Sequence, residues 1–388
     1  MEMPVGRLRV AGASWRTFKN GLQTVHLWLG IILAIPIILV GITGSLLLLQ
    51  QEILRQSAPS VTSSGAPQPL VRMVEAAQAA APAGMTARSI QIPASAGTSA
   101  SVQFDNSGRP PRSAVYVDPV SLAIVGTNSS TDRGAFGTFL IQLHAFLLMR
   151  PYYGIQVTGV IAGVFVFMSI SGLILWWPSK RTWRDAFWIR RGSCGLSFHV
   201  DLHHVAGFWG SLVLLIMGLS GLYLNFPESF HATVAAVLPG GSPDTKAAPT
   251  FRPAALPLDA DKARDAANLA VENAHAVSVQ FPTTANLPFV VQMERTDFGP
   301  QAPQILVTLN PQTGGVSFID DPRDYALADK VLNWQYALHF GVGMGWVWKI
   351  LVFLSGVLPL ALAITGVTMW WMRRSRRAVP RAVANPAE

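Results

Sequence analysis

Four long stretches of the chain contain almost only apolar residues. They cover roughly residues 22–49, 155–177, 205–226 and 347–372. A helix of about 20 residues is long enough to cross a hydrocarbon layer of about 30 Å. The hydrophobic pattern therefore predicts four membrane-spanning helices, separated by two large connections and one short one.

The first apolar stretch is too long for a cleaved signal peptide. Its run of about 28 residues exceeds the apolar core of about 7–15 residues that such peptides have, and no small-x-small cleavage site closes it. We interpret this stretch as an uncleaved anchor.

The two large connections carry the patterns of small soluble domains. Each contains a segment that favours a helix, at residues 69–81 and 259–276. Alternating strands follow each helix: SIQIPA, ASVQF and SAVYVDP in the first connection, and AVSVQF, PFVVQM and QILVTLNP in the second. Asp118-Pro119 and Asn310-Pro311 begin turns between the last two strands of each set.

Basic residues predict the orientation of the spans. They cluster in three short segments, which the positive-inside rule places in the cytoplasm: Arg7, Arg9, Arg16 and Lys19; Lys180, Arg181, Arg184, Arg190 and Arg191; and Arg373, Arg374, Arg376, Arg377 and Arg381. Both termini are then cytoplasmic, and the large connections face the periplasm if the protein comes from a Gram-negative inner membrane. The predicted order is cytoplasmic tail 1–20, first span 21–49, periplasmic domain 50–154, second span 155–177, cytoplasmic loop 178–203, third span 204–226, periplasmic domain 227–346, fourth span 347–372 and cytoplasmic tail 373–388.

Composition agrees with a membrane protein and narrows its chemistry. Half of the residues are hydrophobic and only 13% are charged. The net charge of +8 is explained by the cytoplasmic segments and anionic lipid, so we expect no nucleic-acid partner. Cys194 is the only cysteine, which excludes an intrachain disulfide and a C-x-x-C-H motif for covalent haem attachment.

The chain also contains an internal repeat. VHLWLG followed by GITG in the first span matches LHHVAG followed by GLSG in the third, and His203 lies 177 positions after His26. SISGLILWW in the second span matches AITGVTMWW in the fourth, and Gly366 lies 194 positions after Gly172. We interpret this as a duplicated unit of span, soluble domain and span, arranged as parallel repeats. The predicted fold is thus a mainly α-helical four-span bundle with two small α+β periplasmic domains.

Histidines occupy corresponding places in the two repeats. His26 and His203 lie at the cytoplasmic ends of spans one and three, whereas His144 and His339 precede spans two and four on the external side. Two imidazoles from facing helices form the ligand set of a haem iron. We therefore predict two non-covalent haem b groups, one held by His26 and His203 and the other by His144 and His339.

Glycines support this prediction. Gly30, Gly207 and Gly343 each lie four residues after one of these histidines, so a flat porphyrin would fit beside the helix there. Gly41, Gly44, Gly218 and Gly221 would instead serve close helix packing. The paired tryptophans 176/177 and 370/371 are typical of an interfacial belt.

Two further histidines leave alternatives open. His199 lies one helical turn before His203 and would replace it as a ligand, contact a propionate or relay protons. His204 would face lipid headgroups or a propionate. His199 and His203 also have the spacing of a non-haem metal pair, although no carboxylate on the same helix face completes such a site.

The motifs VHLWLG, LHAF, SGLILWW, DLHHVAG, ALHFG and ITGVTMWW together resemble the PepSY-associated transmembrane family, the iron-regulated membrane proteins that include ferrisiderophore reductases of the FoxB type. The resemblance implies PepSY-like external domains, two b-type haems on His26, His144, His203 and His339, and reduction of a ferric siderophore to release its iron. Two positions depart from the family pattern: His204 stands where an arginine is common, and Val120-Ser121 replaces the usual Thr-Gly turn.

Other functions remain open at this stage. A membrane-tethered PepSY regulator or chaperone would leave the paired histidines unexplained. A haem or metal transporter predicts acidic residues within the spans, and residues 21–49 and 205–225 contain none. No glycine-rich dinucleotide fingerprint follows a strand, so the electron donor is expected to be a separate flavin reductase or a membrane quinol.

Overall fold

The structure is a computed structural model that describes residues 6–56, 59–93, 95, 97–106, 109–129, 134–150, 152–178, 183–240, 258–284, 286–298 and 301–378. The chain divides into two compact units. The helical unit comprises residues 1–47, 140–227 and 350–388, and the sheet unit comprises residues 48–139 and 228–349.

The helices are α1 (Gly6–Ile32), α2 (Ala34–Gln56), α3 (Leu70–Ala80), α4 (Gly134–Phe146), α5 (Gly154–Trp176), α6 (Gly195–Asn225), α7 (Pro227–Val237), α8 (Ala260–Ala270), α9 (Leu327–Phe340) and α10 (Gly345–Ala378). Within the described ranges, four helices are long and apolar enough to cross a membrane: Ala34–Ile53, Gly154–Trp176, Gly195–Asn225 and Gly345–Arg376. These correspond to the four predicted apolar stretches.

The first predicted span differs from the structure before its start and near its middle. The predicted tail 1–20 is helical from Gly6 onward, and the span 21–49 is divided at Leu33 between α1 and α2. Pro36 lacks the backbone N–H that would continue the helical ladder at this point. Bonds from Leu33 N to Leu29 O and from Ile37 N to Leu33 O carry the chain through the break.

The helix that contains the third predicted span begins before that span. Helix α6 begins at Gly195, so the last nine residues of the predicted loop 178–203 are helical. The buried Asp201 carboxylate stabilises this extension because it accepts bonds from the Arg190 backbone N–H, the Arg190 guanidinium and the Ser193 hydroxyl. His199 and His203 therefore lie on one continuous helix.

Glycines allow the helices of this unit to pack closely. A Cβ added at Gly41 would lie 2.5 Å from the backbone oxygen of Gly356, and one at Gly218 would lie 2.8 Å from Val166 Cγ2. Small residues permit such backbone approach between membrane helices. This confirms the packing role predicted for Gly41 and Gly218.

The sheet unit contains one eight-stranded antiparallel sheet in the order β4-β3-β2-β1-β5-β6-β7-β8. Its strands are β1 (Thr86–Gln91), β2 (Ala100–Asn106), β3 (Arg109–Val117), β4 (Ile124–Ser129), β5 (Ala274–Gln280), β6 (Phe289–Arg295), β7 (Ile305–Leu309) and β8 (Val316–Asp320). Strands β1 and β5 pair through Ser89–Gln280, Ile90–Val279 and Gln91–Ser278. The two predicted α+β domains thus share one sheet rather than forming separate ones.

The core of the sheet unit lies between one sheet face and two helices. Buried strand residues such as Ile90, Val102 and Val279 pack with Met73 of α3 and Ala267 of α8 in one hydrophobic cluster. Strand β6 alternates buried and more exposed positions, as a sheet with one covered face requires.

Helix α8 is shorter than the predicted segment 259–276, because residues 274–276 belong to β5. Asn273, with φ 56°, redirects the chain between the two elements. The Asn268 side chain accepts a bond from Ala276 N, which joins the end of the helix to the new strand.

The two predicted turns have matching geometry. Asp118 Oδ1 accepts bonds from the N–H groups of residues 120 and 121, and Asn310 Oδ1 accepts bonds from those of residues 312 and 313. Leu122 adopts φ 62° where the second turn has Gly314 at φ 71°. Ser121-Leu122, rather than Val120-Ser121, thus stands in the place of Thr313-Gly314, and the turn is preserved with Leu122 in the left-handed position.

Candidate functional site

A cavity of about 840 Å³ lies within the helical unit, between α1, α2, α5, α6 and α10. Its volume is in the range of sites for cofactors and other small molecules. Three histidines line it, together with the glycines predicted to face a porphyrin: His26, His203, His204, Gly30 and Gly207. The structure thus brings together all residues predicted for the first haem.

His26 is held by span two. Its Nδ1 lies 2.7 Å from the hydroxyl oxygen of Ser171, which is 1% exposed. The Ser171 hydroxyl points back along its own helix to Met168 O at 3.3 Å. A hydroxyl that donates to a carbonyl retains its lone pairs for the imidazole N–H.

His203 is held by span four in the same way. Its Nδ1 lies 2.9 Å from Thr365 Oγ1, and that hydroxyl donates to Ala361 O at 2.8 Å. Because the hydroxyl proton has this carbonyl as its acceptor, Thr365 Oγ1 can accept from an Nδ1–H of His203. The neutral ring then has its lone pair on Nε2, which is the nitrogen that would ligate a metal.

A glycine follows the hydroxyl residue in each case. A Cβ added at Gly172 would lie 3.5 Å from Cε1 of His26, and one added at Gly366 would lie 3.6 Å from Cε1 of His203. Each imidazole therefore rests on a pair of residues, one hydroxyl and one glycine. We call these two pairs, Ser171-Gly172 and Thr365-Gly366, the histidine seats.

The two seat glycines were recognisable as a matching pair in the sequence, but the roles of Ser171 and Thr365 were not predicted. The signal was present, since both hydroxyl residues stand directly before those glycines at the same offset. Hydroxyls are common in apolar helices, where they bond to their own backbone. Only their contact with the imidazoles distinguishes these two.

His199 and His204 have different surroundings. His204 lines the cavity, whereas His199 is not among its lining residues and has a buried Nδ1 without a hydrogen-bond partner. The Asp201 carboxylate accepts hydrogen bonds from Arg190 and Ser193. Over the ranges that the structure describes, no group of three or more His, Cys, Asp and Glu side chains is placed to hold a metal ion.

Cations line one part of the cavity wall. Lys19, Arg373 and Arg374 all contribute to the lining, and the Arg374 guanidinium lies 5.7 Å from the centre of the Trp370 ring. These positive charges suit a ligand with carboxylates.

The tryptophan pairs are divided between two environments. Trp176 is only 7% exposed, lines the cavity, stacks on Phe208 at 4.1 Å and donates to Ala186 O. Trp370 also lines the cavity. Trp176 and Trp370 therefore face the cavity, whereas Trp177 and Trp371 are exposed, and the interfacial belt stays a prediction.

His144 lies against the backbone of α2 at a glycine. It lies on α4, and its Nδ1–H donates to Val40 O at 2.8 Å. A Cβ added at Gly44 would lie 2.9 Å from Cε1 of His144. Gly44 therefore receives a histidine ring, and its predicted role in packing helix against helix is not the one seen.

His339 lies on α9 in the sheet unit, whereas His144 lies in the helical unit. Their pairing stays a prediction from the sequence. Gly343 is not on the helix of His339, because α9 ends at Phe340 and Gly341 follows in a left-handed conformation. Gly343 itself has φ 79°, and a Cβ there would lie 3.0 Å from Ala302 Cα and 3.2 Å from Trp334. The prediction that Gly343 continues the helix face of His339 is therefore wrong.

Comparison with known families gives one match. The PepSY-associated TM region matches residues 23–373 of the chain. Comparison with curated protein sequences gives no significant match.

Proposed function

Because the chain belongs to the PepSY-associated TM region family, we propose that this multi-pass membrane protein is an electron-transfer protein with two haem b groups that reduces ferric siderophores, like ferrisiderophore reductases of the FoxB type. We further propose an inner-membrane location with both termini in the cytoplasm, external domains in the periplasm and an origin by duplication of a span–domain–span unit.

One observation carries the proposal: two imidazoles line one cavity, and each is fixed through Nδ1 by a hydroxyl of a neighbouring helix. This arrangement presents two Nε2 lone pairs, which is the donor set of a six-coordinate haem iron. A function as a regulator or chaperone would explain neither the two imidazoles nor the cavity that they line.

The residues of the cavity fit haem in three further respects. Gly30 and Gly207 line the wall without side chains. A Cβ at Gly30 would come within 3.2 Å of Met168 Cε, so this part of the wall has little room for a side chain. Apolar residues form most of the remaining wall, which excludes water from a porphyrin face. Lys19, Arg373 and Arg374 would bind the propionates, so the family's arginine after the ligand histidine is replaced by cations elsewhere in the fold.

Haem bound at His26 and His203 would supply reversible one-electron chemistry. His26 and His203 would bind and orient this group, and a substrate would take up electrons from it without binding to its metal. The second haem, on His144 and His339, is proposed from the sequence pattern alone.

The proposed reaction balances with a quinol or a reduced flavin as donor. The donor loses two electrons and two protons, and two ferric siderophores each gain one electron. Hard oxygen ligands bind Fe³⁺ much more strongly than Fe²⁺, so reduction releases the iron. A separate donor is proposed because the chain shows no dinucleotide fingerprint.

An absorption spectrum of the detergent-purified protein, before and after dithionite, tests the proposal. We expect low-spin b-type bands and about two haems per chain. The dithionite-reduced protein, freed of excess reductant under argon, should be reoxidised by a ferric trihydroxamate while a ferrous chelator captures Fe²⁺. A colourless protein would refute the haem proposal, whereas a coloured protein that leaves the ferric complex unreduced would refute the substrate alone.

A further inference from the structure

The two histidine seats repeat one geometry with different residues. Ser171 seats His26 at 2.7 Å, and Thr365 seats His203 at 2.9 Å. Both hydroxyl residues are almost fully buried, at 1% and 3% exposed. A serine in one half and a threonine in the other share only the hydroxyl, so the hydroxyl is the feature that the two seats have in common.

The hydroxyl proton is already used in both seats. Thr365 donates to Ala361 O at 2.8 Å and lies 3.0 Å from Leu362 O, while Ser171 donates to Met168 O. With its proton on the carbonyl, each oxygen has lone pairs free to accept from the imidazole. In that arrangement the imidazole carries its proton on Nδ1, because a bare Nδ1 would face an oxygen lone pair.

We propose that Ser171 and Thr365 are positioning residues that hold His26 and His203 in the tautomer that ligates through Nε2 and that raise the basicity of this nitrogen. The inference rests on the proposed haem at these histidines. A hydrogen-bond acceptor on the distal ring nitrogen makes an imidazole a stronger electron donor to a metal. Stronger donation favours ferric over ferrous iron, so the two hydroxyls lower the reduction potential of this haem.

The glycine of each seat completes the arrangement. A Cβ at Gly172 or Gly366 would lie 3.5 or 3.6 Å from Cε1, so each ring directs Cε1 towards this part of the backbone and Nδ1 towards the hydroxyl. The ring orientation is thereby set before any ligand enters. Preorganised ligands bind more tightly because less side-chain freedom is lost on binding.

Four variants test the inference. Thr365→Val keeps the shape of the side chain and removes the hydroxyl, and Thr365→Ser restores the hydroxyl without the methyl group. Ser171→Ala makes the same deletion in the other seat. Ser355→Ala is the matched control, because Ser355 is a buried residue of the same helix α10 whose hydroxyl donates to Val352 O at 2.7 Å.

The readouts are haem content, the midpoint potential from a spectroelectrochemical titration and the low-spin electron paramagnetic resonance signal. We expect Thr365→Val and Ser171→Ala to raise the potential of one haem, with a three- to tenfold change in its reduction equilibrium constant. A tenfold change corresponds to about 59 mV for one electron. Thr365→Ser and Ser355→Ala should match the wild type.

Loss of one haem from Thr365→Val that Thr365→Ser restores would also support the inference, since supporting groups contribute about 10–100-fold to metal affinity. If Thr365→Val fails to accumulate, Ser171→Ala decides the question. Unchanged potential, signal and haem content in both deletions, in a protein that retains two haems, would overturn the positioning role and leave the proposed function intact. Absence of haem from the wild type would overturn both.

Discussion

The imidazole of His144 lies so close to Gly44 that a single methyl group at this glycine would be 2.9 Å from Cε1 of the ring. Carbon atoms in contact normally stay about 3.5–4.0 Å apart. His144 cannot move freely, because its Nδ1 donates to Val40 O at 2.8 Å. The backbone of α2 therefore determines where this ring lies.

We expect Gly44→Ala to displace His144 and to weaken or shift the haem signal that His144→Ala removes. Gly163→Ala is the matched control, because its Cβ would stand at an ordinary 3.6 Å from Leu222 Cδ2 and within 4 Å of neither histidine. Absorption spectra and haem content of the two variants provide the measurement. Equal spectra and equal haem content of the two variants would contradict the expectation that only the methyl group at Gly44 displaces a histidine ring.

The alternative ligand assignments are separated by two alanine variants. His203→Ala should reduce the haem content from about two to about one per chain, because the ring that lines the cavity is lost. His199→Ala should retain both haems, because His199 does not line the cavity. A pyridine haemochrome assay measures the difference. If His199→Ala loses a haem and His203→Ala does not, the assignment is wrong.

The cations of the cavity wall are expected to bind the carboxylates of a porphyrin. Arg373→Gln should weaken haem binding by up to about fivefold, the magnitude of an exposed ion pair of about 1 kcal/mol. Haem dimethyl ester, which lacks the carboxylate charges, is the matched ligand. Titration of the haem-depleted protein should show equal affinity of wild type and Arg373→Gln for the ester. An equal loss of affinity for both ligands would contradict a charge effect.

Asp118 should make the sheet unit sensitive to acid. Its pKa is lowered from the ordinary 3.8 to about 2, first by the Ser63 hydroxyl and then by the backbone N–H of Val120. A carboxylate whose pKa is lowered by folding stabilises the folded state at pH values above its pKa in the unfolded chain. This contribution is lost as the pH falls from about 3.8 towards 2.

The variant Asp118→Asn tests this dependence, because Asn310 already supports the equivalent turn. We expect the wild type to lose more thermal stability than Asp118→Asn between pH 5 and pH 2.5, as measured by melting curves of the detergent-purified protein. Other carboxylates contribute equally to both proteins. Parallel losses would show that Asp118 is not the group responsible.

The apolar spans and the soluble helix 69–81 were predictable because their signals are local. Transfer of a residue into hydrocarbon and its helix propensity depend mainly on its own side chain and near neighbours. Boundaries were less predictable where a distant partner decides them. Helix α6 starts at Gly195 because Asp201 binds the loop that precedes it, and the segment after Ala270 becomes β5 because β1 and β6 are available to pair with it.

The spacing of His26 and His203, with the glycines that accompany them, was readable in the linear chain because the matching residues lie at one constant offset. The contacts that orient these imidazoles were not readable, since Ser171 and Thr365 lie 145 and 162 positions away from the rings that they hold. Likewise, each half contains enough strands for a small sheet of its own, and only the β1–β5 pairing joins them into one. Only the tertiary structure decides these imidazole contacts and this strand pairing, because hydrogen bonds between distant segments depend on which surfaces come into contact. Local propensities do not specify which surfaces those are.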